Sequence, residues 1–169
     1  MNNACDWPEL LGEQLSFHWS RLARPRLDGL VDWEYFGEPV PGCWNLRPHV
    51  DTDGKGGNVF VMDTNTTDED PPPFTTIAWR LAHVIRHVLG ARTHDIFDGP
   101  DAERVPPAAT ASDALAQLDD AYRRWQDGVS AMTTTRLAEP CGRNEPHFED
   151  EAPGDARSPR QSRGSLPLR

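Results

Sequence analysis

Trp79, His83 and His87 stand four residues apart in the sequence. On a helix, side chains at i, i+4 and i+8 leave from one face, so the two imidazoles would lie one turn apart and could share a metal ion. Two neutral imidazoles hold a zinc or nickel ion only weakly without further ligands. By spacing alone the pair reads first as two ordinary, partly exposed histidines, because HxxxH with no acidic third residue is a weak motif. His18 is the third candidate. It falls in one narrow arc with Leu11, Leu15 and Leu22, which places it on a core-facing stripe. There it is either a neutral histidine bonded to a neighbour or a metal or substrate group. His94 reads as a solvent-facing or capping histidine, and His147 as a solvated one. Cys5, Cys43 and Cys141 are odd in number, widely spaced and form no CxxC. They read as structural or incidental thiols rather than a disulfide framework.

The element that must carry the histidine pair is Thr75 to Arg92, TTIAWRLAHVIRHVLGAR. Prolines 71–73 precede it and Gly90 stands near its end, the usual asymmetry of a bounded helix. Thr75 or Thr76 can cap its first amides. Ile77, Leu81, Ile85, Val88 and Leu89 make an aliphatic stripe roughly opposite the Trp79–His83–His87 stripe, so the helix is expected to be central and packed on both sides.

Two further helices are expected around it. Asp6 is a plausible N-cap and Pro8 suits the first turn of a helix running to about Leu30, with a kink or break at Pro25. TASD at 110–113 resembles a capping box, and Leu115, Leu118, Tyr122, Trp125, Val129 and Met132 then give a core stripe. Leu11, Leu15, Leu22, Leu81, Ile85, Leu118, Tyr122, Trp125 and Val129 are the expected core. Asp32 to Val50 holds Trp33, Tyr35, Phe36 and Trp44 among prolines and reads as a structured loop over the end of the bundle. Asp51 to Pro73 reads as a long exposed loop with a short extended piece at Val59 to Met62.

The formal charge is −10, from 27 acids against 17 lysines and arginines, which disfavours nucleic acid as a partner. No basic stretch leads into an apolar run at the N-terminus, and no apolar run is long enough for a membrane span, so a cytoplasmic protein without a membrane partner is expected. From Cys141 the composition turns to Pro, Arg, Gly, Ser and acids, and the segment is expected to be disordered. The division is thus a bundle domain over 5–140 and a tail over 141–169.

FHWSRLARPRLDGL, EYFGEPVPGCWNLRP, PPPFTTIAWRLAHV and ALAQLDDAYRRW, in that order, resemble the DinB superfamily and within it an actinobacterial branch, over Leu10 to about Pro140. The resemblance implies an all-α, DinB-like four-helix bundle with a long loop between helices 1 and 2. It also implies a divalent metal, zinc or nickel, held by three histidines: one on the second helix, where His83 stands, and two from an HxxxH on the last helix. That last helix is missing or degenerate here. His87 lies outside the usual triad, and His18 stands at a position near the pocket. Characterised relatives include thiol S-transferases that use mycothiol or bacillithiol. Their metal polarises a thiolate or water, with a small-molecule thiol or electrophile as partner. Residues 154–164, back-translated with GC-rich codons and read one base later, allow ATLVLHVNREV, which resembles the start of the family's last helix. A frameshifted or truncated family member is favoured over a designed short form. Three readings follow: a metal-dependent thiol transferase or hydrolase with impaired activity, a non-catalytic ligand- or partner-binding bundle, and a remnant without independent function. A bundle short of one helix exposes apolar surface, so dimerisation to a homodimer, aggregation or poor solubility of the isolated chain is expected.

Overall fold

A computed structural model describes residues 5–50, 58–64 and 73–139. The chain divides into two units, Met1–Glu139 and Pro140–Arg169, and the second lies outside the described residues, as do Cys141 and His147. Among the described residues the architecture is all-α apart from one two-stranded antiparallel sheet.

The first rod begins with α1, Trp7–His18, whose N-cap Asp6 accepts a hydrogen bond from Glu9 N at 3.3 Å. The helix widens into a π turn over Trp19–Ala23 and tightens into a 3₁₀ turn over Arg24–Leu27, where Pro25 stands. A short helix α2, Asp32–Tyr35, follows. Strands β1, Leu46–Val50, and β2, Asn58–Met62, pair antiparallel with Leu46 opposite Met62. The second rod is α3, Ile77–His83, a π-helical stretch Val84–Gly90, and α4, Ala91–Phe97. A 3₁₀ turn at Ala102–Arg104 leads to the third rod, α5, Ala111–Ser130, and then to the short α6, Thr134–Leu137.

The third rod packs against both of the others. Its buried side is Ala111, Ala114, Leu118 and Ala121, and the second rod answers with Ala78, Leu81, Ala82 and Ile85. Alanines on both sides let the backbones approach closely, and the three large aliphatics fill the gaps between them. Tyr35 closes one end of this core and donates from its hydroxyl to Ala108 O at 3.2 Å. Asp32 caps the third rod from outside it, accepting from Ala111 N at 2.7 Å.

Several expectations need correction. The first rod does not turn its leucines to the core: Pro8 and Gly12 are buried, whereas Leu11 and Leu22 are exposed. Small residues allow α1 to lie close to α5, where Gln126 donates to Gly12 O at 3.2 Å. Trp19 stacks on Tyr122 with centroids 3.9 Å apart. His18 is consequently exposed, its ring edge-on to Phe17, and is not a core histidine. Gly90 does not end the second rod, which runs on to Phe97 and stops at Asp98, a left-handed residue with φ 53°. His94 therefore lies inside a helix, with Nδ1 2.8 Å from Gly99 O. Finally, the segment 32–50 contains α2 and β1 besides loop, and Trp33 stays 76% exposed while Tyr35 is buried.

Candidate functional site

The histidine face begins with the cap of α3. Thr76 Oγ1 accepts from Trp79 N at 3.2 Å and donates to Asn45 Oδ1 at 3.0 Å, which ties the helix start to the segment before β1. Two backbone bonds reinforce the tie: Trp44 N donates to Phe74 O at 2.8 Å, and Thr76 N donates to Trp44 O at 2.9 Å. Asn45 is buried, and its amide nitrogen donates to Phe36 O while its oxygen also accepts from Leu46 N. All these partners are drawn from different segments, so Asn45 fixes where the hairpin meets the second rod.

On this base stands a ladder of four rings. Trp44 and Trp79 are 5.4 Å apart, Trp79 and His83 are stacked at 5.2 Å, and His83 and His87 are 5.4 Å apart. Trp79 is anchored at its polar end, where Nε1 donates to Asp63 O at 2.8 Å. Beside the ladder, Arg47 bridges Glu38 at 2.8 Å and Asp63 at 3.0 Å. The bond from Asn45, together with Arg47, holds the Glu38 carboxyl below the usual carboxylate range.

Burial lowers the pKa of His83, and the neighbouring His87 and Arg80 lower it further. Its imidazole is therefore neutral at pH 7, the form that offers a lone pair to a metal. His87 is more exposed than His83. The structure thus brings His83 and His87 together and leaves His18 apart from them. Among the described residues no group of three or more His, Cys, Asp or Glu side chains could hold a metal ion. The donor set there does not fill a three-histidine site. A cavity of about 190 Å³ opens elsewhere on the second rod, lined among others by Ile85, Gly90, Thr93, Ala102 and Arg124, and neither histidine lines it. Of the cysteines, Cys43 is buried with its thiol 3.0 Å from Val40 O, and Cys5 is exposed. Trp44 was visible in the sequence only as one of several aromatics. Asn45 and Asp63 carry no periodic or motif signal, and their roles follow from contacts across long stretches of chain.

Three helical rods on an alanine-lined core, with a hairpin docked on the histidine-bearing second rod, define an all-α bundle. The chain belongs to the DinB superfamily, whose sequence profile matches residues 14–156. No curated protein and no solved structure matches it. The family match runs beyond Glu139, so a fourth helix after the third rod concerns residues outside those described. No helix among the described residues is long and apolar enough to cross a membrane.

Proposed function

We propose that this chain is a DinB-type, divalent-metal-binding cytoplasmic protein related to the mycothiol- or bacillithiol-dependent S-transferases and hydrolases, and that its catalytic capacity is impaired. One observation carries the reading: the His83–His87 pair, 5.4 Å apart, with His83 kept neutral. Two imidazoles one helical turn apart chelate zinc or nickel weakly. A catalytic zinc centre uses three protein ligands and keeps one position open for water or substrate. The described residues supply two donors on this face. A metal held there would supply Lewis-acid activation of a thiol or water. What the chain's own residues contribute is orientation: Trp79 stacks on the His83 ring, and the Asp63 carbonyl holds Trp79 in place.

The test is calorimetric titration of metal-free protein with zinc and with nickel, beside an assay for transfer of a low-molecular-weight thiol to an electrophile. The expected result is weak, dialysable binding that is lost in both His83→Ala and His87→Ala, with negligible thiol transfer. Stoichiometric zinc that survives dialysis, disappears in His83→Ala and supports turnover would show a complete site and overturn the impairment. Binding unaffected by either substitution would overturn the metal assignment.

A further inference from the structure

We infer that the cavity walled by the second rod, the connector after it and α5 binds a small carboxylic acid with an apolar body, a single ring or a short branched chain. The second rod supplies Ile85, Gly90 and Thr93, the connector supplies Ala102 and Val105, and α5 supplies a stripe that includes Ala121 and Arg124. The wall on the second rod exists because that rod is widened there. Ile85 and Gly90 stand five apart, and in a regular helix such residues diverge by roughly 140°. Both lie in the π-helical stretch Val84–Gly90, where bonding between residues five apart brings them toward one side. Gly90 adds no side chain to the space, and a Cβ there would stand 2.5 Å from Ala102 Cβ.

Burial and volume select the body of the ligand. Ile85, Thr93, Ala102 and Ala121 are buried, and Val105, 37% exposed, marks the solvent side. Thr93 gives its hydroxyl hydrogen to Leu89 O at 2.7 Å, so the floor offers no free donor. An apolar cavity of about 150 Å³ takes up benzene. At about 190 Å³ this one has room for a ring with one short substituent. The site is separate from the histidine face, because neither His83 nor His87 lines it.

Charge selects the head group. The charged residues lining the cavity are Asp120 and Arg124. Asp120 accepts from Arg124 Nε and from Arg123 Nη2, each at 2.7 Å, and these bonds hold its carboxyl below the usual carboxylate range. Two guanidiniums on one carboxylate leave one positive charge in surplus. Among the described residues Arg124 donates only through Nε, so its two terminal amino groups are free to bind. A carboxylate matches such a guanidinium, taking its parallel N–H donors. An amine would meet the surplus positive charge, and a bare inorganic anion would leave the apolar floor unfilled. Gln117, a further lining residue, donates from Nε2 to Pro106 O at 3.2 Å and so ties the connector to α5 beside the cavity.

Proton–nitrogen correlation NMR of the full chain tests this, with EDTA present so that a carboxylate cannot report a metal on the histidines. The probes are phenylacetate and its neutral counterpart phenylacetamide. Phenylacetate should give saturable shifts centred on the amides of Gly90, Thr93, Ala102 and Ala121. It should bind about fivefold tighter than phenylacetamide, the size of one partly exposed ion pair. Arg124→Gln should erase that difference and leave phenylacetamide binding in place, whereas Arg21→Gln, on the first rod, should change neither. Val105→Trp fills the solvent side and should abolish binding of both probes. Should Val105→Trp lose its fold, Arg124→Gln remains the deciding arm, since that side chain is 47% exposed. The absence of saturable shifts, shifts centred away from the cavity, equal affinities for the two probes, an acid preference that survives Arg124→Gln, or undiminished binding by a folded Val105→Trp would overturn the proposal.

Discussion

Replacing Leu118 by Ala and, separately, Leu11 by Ala separates the core that the structure shows from the core that the leucine pattern suggests. Both leucines lie on amphipathic helices, yet Leu118 is 3% exposed and Leu11 is 47% exposed. Leu118 sits in one cluster with Leu81, Ala82, Ile85 and Ala121, on elements that cannot collapse independently. Its truncation removes three buried carbons and leaves a cavity, and should cost about 3 kcal/mol within the usual span of about 2–5 kcal/mol. At Leu11 roughly half of the side chain is already in water. The transfer loss is correspondingly about 1 kcal/mol, and no enclosed cavity forms. Urea unfolding followed by tryptophan fluorescence gives both values. The m-value should stay constant, and the Leu118 variant should melt about 6–12 °C lower than the parent. Equal losses at the two positions would refute the assignment of faces and return the leucine stripe of α1 to the interior. A loss below about 1 kcal/mol at Leu118 would refute the core itself.

Asn45→Ala should destabilise the protein by about 2–4 kcal/mol, because it strands the Phe36 carbonyl, the Leu46 amide and the Thr76 hydroxyl at once, and denaturant unfolding will read it. In a proton NMR titration His83 should titrate below the ordinary histidine value, and His87→Ala should raise its midpoint part of the way, since burial is the larger cause. The sign for stability follows from linkage. The unfolded chain binds the proton at higher pH than the fold does, so this contribution is complete above the ordinary histidine value and declines as pH falls from there toward the folded value. The group is largely solvent-screened, so the decline is small.

The caps were legible because they are local. Asp6, Thr76 and Thr110 each accept the amide bond that their side chains announce. The extended piece at Val59 to Met62 was legible too, while its partner β1 was hidden by Pro48, which pairs opposite Phe60. The first rod misled for a physical reason. Hydrophobicity counts leucines, but the face turned to α5 was chosen by closeness of approach, and Pro8, Gly12 and Ser16 allow what leucines would block. Gly90 misled similarly. It suggests a helix stop, yet its missing side chain makes room for Ala102, whose Cβ would stand 2.5 Å from a Cβ added there. On the histidine face the HxxxH spacing sufficed to place two rings together. The dock beneath them depends on Trp44, Asn45 and Asp63 meeting Thr76 and Trp79 across long separations, which no local pattern encodes.

The two π stretches bear on how this chain tolerates changes in its own length. Each wide turn, at Trp19–Ala23 and Val84–Gly90, accommodates residues that a regular helix would have to expel as a loop. Each is thus a store of slack. Shortening the chain by one residue inside either stretch can be absorbed by relaxing toward the regular spiral, without undoing the rod. The cost falls downstream, because every later side chain on that rod then swings around the axis by one position. In the second rod Phe97, which lies over Gly128 and against Trp125 at 5.3 Å, would be carried off its seat. The spelling of the helix is forgiving at these turns, and its aim is not.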